Sequence, residues 1–180
     1  MTTEMFITAV GRDRPGVIAA LTGALADLDA NLEDTSMTIL GGRFAMVLLV
    51  AAPDEVSLAA VEEALAEPAR SLHLDVSVHP ADASGGDEAS DVDRWTLSIH
   101  GADHPGIVHG VTATLADLGV NVLDMRTRVV GAADRPAYVM TLDVAVPPTT
   151  DGEAVRARLV EVSGELGVDC ALHPVDDDLL

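Results

Sequence analysis

The sequence predicts an α+β protein of two tandem βαββαβ modules, each a four-stranded antiparallel sheet with two helices on one face. Three observations carry this. The chain repeats itself at a shift of 90 residues, strand-like and helix-like apolar spacing alternate in the same order in both copies, and a small acidic segment separates them. The shift carries Gly11-Arg-Asp-Arg-Pro-Gly-Val-Ile18 onto Gly101-Ala-Asp-His-Pro-Gly-Ile-Val108. It also carries Thr22, Leu25, Ala26, Asp27, Leu28, Asn31 and Asp34 onto the identical residues Thr112, Leu115, Ala116, Asp117, Leu118, Asn121 and Asp124. Beyond Gly41 and Gly131 the shift becomes 94, as loop insertions after Gly131 and before Pro147 would produce, and His79-Pro80 then meets His173-Pro174.

In the first copy, Met5 to Val10 reads as a strand that Gly11 ends sharply. From Gly16 to Leu28 the residues Val17, Ile18, Leu21, Leu25 and Leu28 recur at helical spacing. Leu32 to Leu40 and Phe44 to Ala52 form the two arms of a hairpin about Gly41-Gly42. Ser57 to Leu72 sets Leu58, Val61, Leu65 and Leu72 on one face of a second helix. Leu74, Val76 and Val78 then alternate with Asp75 and Ser77 in a fourth strand. The second copy repeats this with strands near Trp95–Gly101, Val122–Val130, Ala137–Val146 and Val168–His173, and helices near Gly106–Leu118 and Gly152–Leu166. Cys170 takes the place of Val76, so its thiol is expected to face the core as a small hydrophobe. Trp95 starts its strand at the end opposite the loop, where its fluorescence should report packing.

The expected organisation is module 1 over residues 1–80, an acidic Gly/Ser linker over 81–93 (ADASGGDEASDVD) and module 2 over 94–180. The fold is the ferredoxin-like arrangement. Modules of about 80 residues are only marginally stable alone, so packing against each other or another chain, and a homo-oligomer, are expected.

Composition excludes several functions. Thirty acidic residues against ten basic give a net charge of -20 and a pI near 4.2, which repels a phosphate backbone, so no direct nucleic-acid binding is expected. Every basic residue is arginine; without lysine there is no Schiff-base chemistry and no phosphate-loop lysine. A single cysteine makes no internal disulfide. No apolar run of membrane-spanning length occurs, and Met1 to Phe6 holds Glu4 and no basic stretch, so a cytoplasmic protein without membrane contact is expected. His100, His104 and His109 fall on three different elements, so neither metal nor cofactor is expected. Exposed aromatics for RNA stacking and a Cys-x-x-Cys for metal transfer are both missing.

The distinctive feature is the first strand-to-helix turn of each copy. Asp13 and Asp103 are expected to cap the helix, Pro15 and Pro105 to suit its first turn, and Gly16 and Gly106 to let a ligand approach its amides. On local chemistry alone the turn is either a helix cap or an anion site. Asn31 and Asn121, each three residues before Asp34 or Asp124, read either as left-handed helix caps with solvated carboxylates or as acceptors for an ammonium group. With helix-start amides holding a carboxylate, such a set would recognise an α-amino acid. Arg126 and Arg128 lie on one outward strand face, where they would hold an anion or pair with acidic residues.

The stretch GRDRPGVIAALTGALADLDANLEDTSMTILGGRFAM and its copy GADHPGIVHGVTATLADLGVNVLDMRTRVVG resemble ACT domains, regulatory βαββαβ modules that bind amino acids. The tandem pair is similar to the glycine cleavage system transcriptional repressor family. That resemblance implies effector-binding roles for Asp13, Arg14, Pro15, Gly16, Asn31 and Asp34 and for Asp103, His104, Pro105, Gly106, Asn121 and Asp124. In the family, one module's loop faces the second strand or helix of a neighbouring module. His104 for Arg14 and Ala102 for Arg12 depart from copy one, so the two sites need not match. The expected function is a non-catalytic amino-acid sensor controlling a transcription factor or enzyme of amino-acid or one-carbon metabolism through protein contact. Its expected ligand is a small amino acid such as glycine or serine. The alternatives are a ligand-independent interaction module and a relative of formyltetrahydrofolate hydrolase, for whose catalytic domain the chain is too short.

Overall fold

The computed structural model describes residues 2–81, 92–131 and 136–175. Module 1 runs β1 (Thr2–Arg12), α1 (Val17–Ala26), β2 (Asn31–Leu40), β3 (Arg43–Pro53), α2 (Leu58–Leu72) and β4 (Leu74–Pro80). Module 2 runs β5 (Asp93–Ala102), α3 (Ile107–Asp117), β6 (Asn121–Val130), β7 (Ala137–Val146), α4 (Gly152–Glu165) and β8 (Val168–Pro174). Strand orders β2-β3-β1-β4 and β6-β7-β5-β8, with every pairing antiparallel, give two ferredoxin-like sheets. Most of the expected linker and the inserted turn after Gly131 lie outside the described residues, and β5 already begins at Asp93.

The strands alternate as the apolar pattern requires. Met5, Ile7 and Ala9 of β1 and Phe44, Met46, Leu48 and Val50 of β3 are buried, and Val17, Leu21 and Leu25 of α1 with Val61 and Leu65 of α2 close over them. Module 2 repeats this with Leu97, Ile99, Met140, Leu142 and Val144 under Ile107, Val111, Leu115, Val155 and Leu159. Each such Val, Leu, Ile, Met or Phe side chain contributes about 1.5–3 kcal/mol when fully buried. Cys170 is half-buried against this second core, and burial pushes its thiol pKa up, with Ser163 opposing the shift.

Gly11 does not end β1, which continues to Arg12. Its φ is not positive; β4 instead packs so closely that a Cβ there would stand 2.5 Å from Leu74 Cδ2 and 3.0 Å from the His73 carbonyl oxygen. Gly101 meets Val168 in the same way. Trp95 lies over the start of α4, its ring so near Gly152 that a Cβ would come within 2.4 Å of it, with the Arg156 guanidinium 5.9 Å from its centroid.

Candidate functional site

All four helices need partners for their first-turn amides, and they find them in two ways. Ser57 caps α2 by accepting the Ala60 N–H, and Asp151 caps α4 by accepting the Glu153 N–H. Helices α1 and α3 have no side-chain cap. Asp13 and Asp103 therefore do not act as the caps the sequence suggested, because the N-cap position falls three residues later, on a glycine. In their place Gly16 and Gly106 hold the N-cap position at φ 94° and 102°, a left-handed conformation open to glycine at little cost. Pro15 precedes the helix and does not join its first turn. Arg14-Pro15-Gly16-Val17 forms a β-turn in which the Val17 N–H donates to the Arg14 carbonyl at 3.4 Å, with glycine in the positive-φ place of a type II turn. The Asp13 N–H is held by the Gly42 carbonyl at 3.1 Å, which fixes the loop to the β2–β3 hairpin.

A cavity of about 460 Å³ opens between the segment Asp13 to Ala19 and the side chains of Met37, Ile39 and Phe44. Two of its walls were not singled out in the sequence. Met37 and Ile39 pair with Met46 and Phe44 across the hairpin and so stand on the helix-facing side of the sheet, yet they remain 42% and 50% exposed because α1 does not reach them. Ile18, expected among the core-facing residues of α1, is 43% exposed and lines the same cavity. The signal was present as apolar alternation in β2, a strand at the sheet edge.

Asn31 and Asp34 are not part of this cavity. Asn31 pairs with Ala51, which lies opposite Glu4, and Asp34 pairs with Leu49, opposite Phe6. Both therefore sit toward the beginning of β1, six to eight residues from Arg12, or roughly 20–26 Å from the loop within the same module. Nor is Asn31 a left-handed cap: Asp29 takes that conformation at φ 54°, Gly119 takes it in module 2, and each asparagine begins a strand. Asp34 follows a β-bulge and accepts the Thr35 N–H at 2.7 Å.

In module 2 the loop is tied down. His104 presents Nδ1 to the Pro105 carbonyl at 3.1 Å and Nε2 to the Leu166 carbonyl at 2.7 Å, joining the start of α3 to the end of α4. Only the protonated ring donates from both nitrogens. Accordingly the carbonyls of Pro105 and Leu166, with help from the Asp103 charge, raise the His104 pKa above its ordinary 6.5 against the opposing effect of desolvation. Tyr138, in the place of Phe44, is buried, and burial followed by the Asp103 charge raises its pKa while a bond with Thr127 opposes that. Asn121 and Asp124 again lie at the far end. Asp124 lines a separate hollow of about 340 Å³ with Arg94, Thr96, Leu123, Asp143 and Val175, and it binds the Arg126 guanidinium at 3.0 Å. Among the described residues no group of three or more metal-ligating side chains converges, and no helix is long and apolar enough to cross a membrane.

ACT-domain models match residues 3–79 and 95–162. The chain belongs to the ACT-domain family. A UPF0237 protein of Methanopyrus kandleri is 40% identical over 81 residues, 44% of this chain and 90% of that one. The glycine cleavage system transcriptional repressor of Escherichia coli is 20% identical over 174 residues, 96% of this chain and 90% of that protein. The phosphoserine phosphatase SerB2 of Mycobacterium tuberculosis is 30% identical over 94% of this chain, which spans 40% of that enzyme. Among solved structures, an unknown protein of Galdieria sulphuraria superposes with a TM-score of 0.84 at 30% identity, covering 98% of this chain and all of that one. This is a tandem ACT-domain regulatory protein, with both modules in the four-stranded form of the family.

Proposed function

We propose that this ACT protein is a non-catalytic sensor that binds a free α-amino acid at the β1–α1 loop of module 1 and regulates another protein by contact. The observation that carries the proposal is the cavity beside the uncapped start of α1. There the Ile18 and Ala19 amides lack a side-chain partner at the positive end of a helix dipole, where a carboxylate is favoured. Asp13 and Arg14, residues of opposite charge, line the same cavity. Pro15 and Gly16 shape the turn that presents those amides. Asp103, His104, Pro105 and Gly106 form the matching loop of module 2.

Asn31, Asp34, Asn121 and Asp124 serve a ligand at either loop only if a neighbouring module brings them there. The edge strands β2 and β6, with Leu40, Met125 and Val129 exposed, support assembly with further copies of the chain. The charge of -20 favours a protein partner over DNA, and a transcription factor or enzyme of amino-acid metabolism in the cytoplasm fits the kinship with the repressor.

A thermal-shift screen of the full chain against the common amino acids tests the reading. A ligand that binds only the folded state at a hundred times its Kd adds about 2.7 kcal/mol, enough to raise Tm by several degrees. No shift with any amino acid, or turnover of O-phosphoserine or formyltetrahydrofolate that a point substitution in this chain abolishes, would refute it.

A further inference from the structure

The two loops share Asp-x-Pro-Gly and differ in what surrounds it. In module 1 the walls beyond the turn are Ile18, Met37, Ile39 and Phe44. Their counterparts in module 2, by the 90-residue repeat and the strand register, are Val108, Thr127, Val129 and Tyr138, which bring two hydroxyls.

We infer that the module 1 cavity selects an α-amino acid with a large apolar side chain, of the leucine or phenylalanine class, over glycine and serine. This rests on the amino-acid-sensor reading above. The cavity of about 460 Å³ is within the ordinary range for small-molecule pockets and far exceeds what a glycine fills. Its exposed lining is mostly apolar: Asp13 and Arg14 line it at the turn, beside the start of α1, and Met37 and Ile39 turn apolar surface toward the same space from β2. A zwitterion held at the turn therefore directs its side chain onto Ile18, Met37 and Ile39. Glycine would leave all three wet.

Each buried methylene tightens binding about fourfold, so a four-carbon side chain that is partly covered is worth roughly ten- to a hundredfold. The small ligand expected from the sequence assumed a tight loop. Yet nothing lies within 4 Å of where a Gly16 Cβ would stand, so that glycine serves the positive φ and does not mark a cramped site.

Calorimetry on the full chain with L-leucine, L-phenylalanine, glycine and L-serine tests this, using Ile39→Asn and Met37→Asn variants, both at exposed positions that a polar residue can occupy without unfolding the module. The expected result is that leucine or phenylalanine binds at least tenfold more tightly than glycine. Either variant should remove most of that difference, while Val129→Asn in module 2 leaves it intact. Glycine binding as tightly as leucine would overturn the inference and leave the sensor reading standing; binding of no amino acid would overturn both. If Ile39→Asn abolished self-association and left amino-acid affinities unchanged, a second copy would be the occupant of these walls and the inference would fall.

Discussion

Modules 1 and 2 share a core and part company on their surfaces. Phe44, Met46, Leu48 and Val50 of β3 line up with Tyr138, Met140, Leu142 and Val144 of β7, all buried. On the opposite, open face of the sheets, Phe6, Val10 and Val47 of module 1 are 41–46% exposed. Their counterparts by the repeat are Thr96, His100 and Thr141, and Asp143 stands where module 1 has Leu49, bonded by the Thr96 hydroxyl at 3.0 Å. The loops diverge in the same sense. Module 1 has an apolar cavity beside a turn tied to its hairpin, and module 2 has a histidine that ties the turn to α4. Packing limits the core to apolar residues of matched volume, whereas a surface is free to specialise. The difference teaches that duplication here preserved a scaffold and let the two loops diverge, one opening onto an apolar cavity and the other fastened to a neighbouring helix.

The largest expected effect would break the likeness of the cores. Gly101→Ala drives a Cβ to 2.7 Å from Val168 Cγ1 and 3.1 Å from its Cα, and should destabilise module 2 by about 1–3 kcal/mol in urea titration. Gly11→Ala, whose Cβ would meet Leu74 Cδ2 at 2.5 Å and the His73 carbonyl oxygen at 3.0 Å, should cost module 1 a similar amount. No measurable cost at either position would show that the two strand pairs are not packed as described.

Next in size is Arg156, which donates to the Leu172 carbonyl from Nε at 3.2 Å and Nη2 at 2.9 Å while lying over Trp95. Module 1 has Glu62 at the matching place. Arg156→Ala should cost about 1 kcal/mol and shift Trp95 emission, whereas Glu62→Ala should leave that emission alone. Fluorescence-detected unfolding checks both.

The duplicated core was legible from the sequence because apolar spacing and a long shared register overdetermine it. Strand and helix ends were legible within three residues. The site was legible in part. Asp-x-Pro-Gly marked the turn beside which the module 1 cavity opens, but the cap assigned to Asp13 failed because a type II turn moves the N-cap to Gly16. Within one module Asn31 and Asp34 do not join that turn, because β2 runs in the same direction as β1 and its first residues stand at the far end of the sheet. Met37 and Ile39 escaped notice because alternation says which face a residue occupies and not whether a helix covers it.

Smaller effects sharpen the contrast between the loops. Since the folded-state pKa of His104 is raised, its stabilising contribution is full below its ordinary 6.5 and fades as pH rises through the higher folded value. The stability difference between the wild type and His104→Ala should therefore be larger at pH 6 than at pH 8, as urea midpoints would show; Arg14→Ala in module 1 should show no such trend. Smallest is Arg126→Ala, which removes an ion pair whose side chains are 75% and 52% exposed and should change stability by less than about 0.5 kcal/mol in the same titration.

The most direct test of the central claim is an NMR titration of the isotopically labelled full chain with L-leucine, following assigned backbone amides at both loops. The amides of Gly16, Ile18, Met37 and Ile39 should shift together and saturate at one affinity, while those of Gly106, Val108, Thr127 and Val129 stay in place. Saturable shifts confined to the module 2 set, or no saturable shift in either, would contradict a ligand site at the module 1 loop.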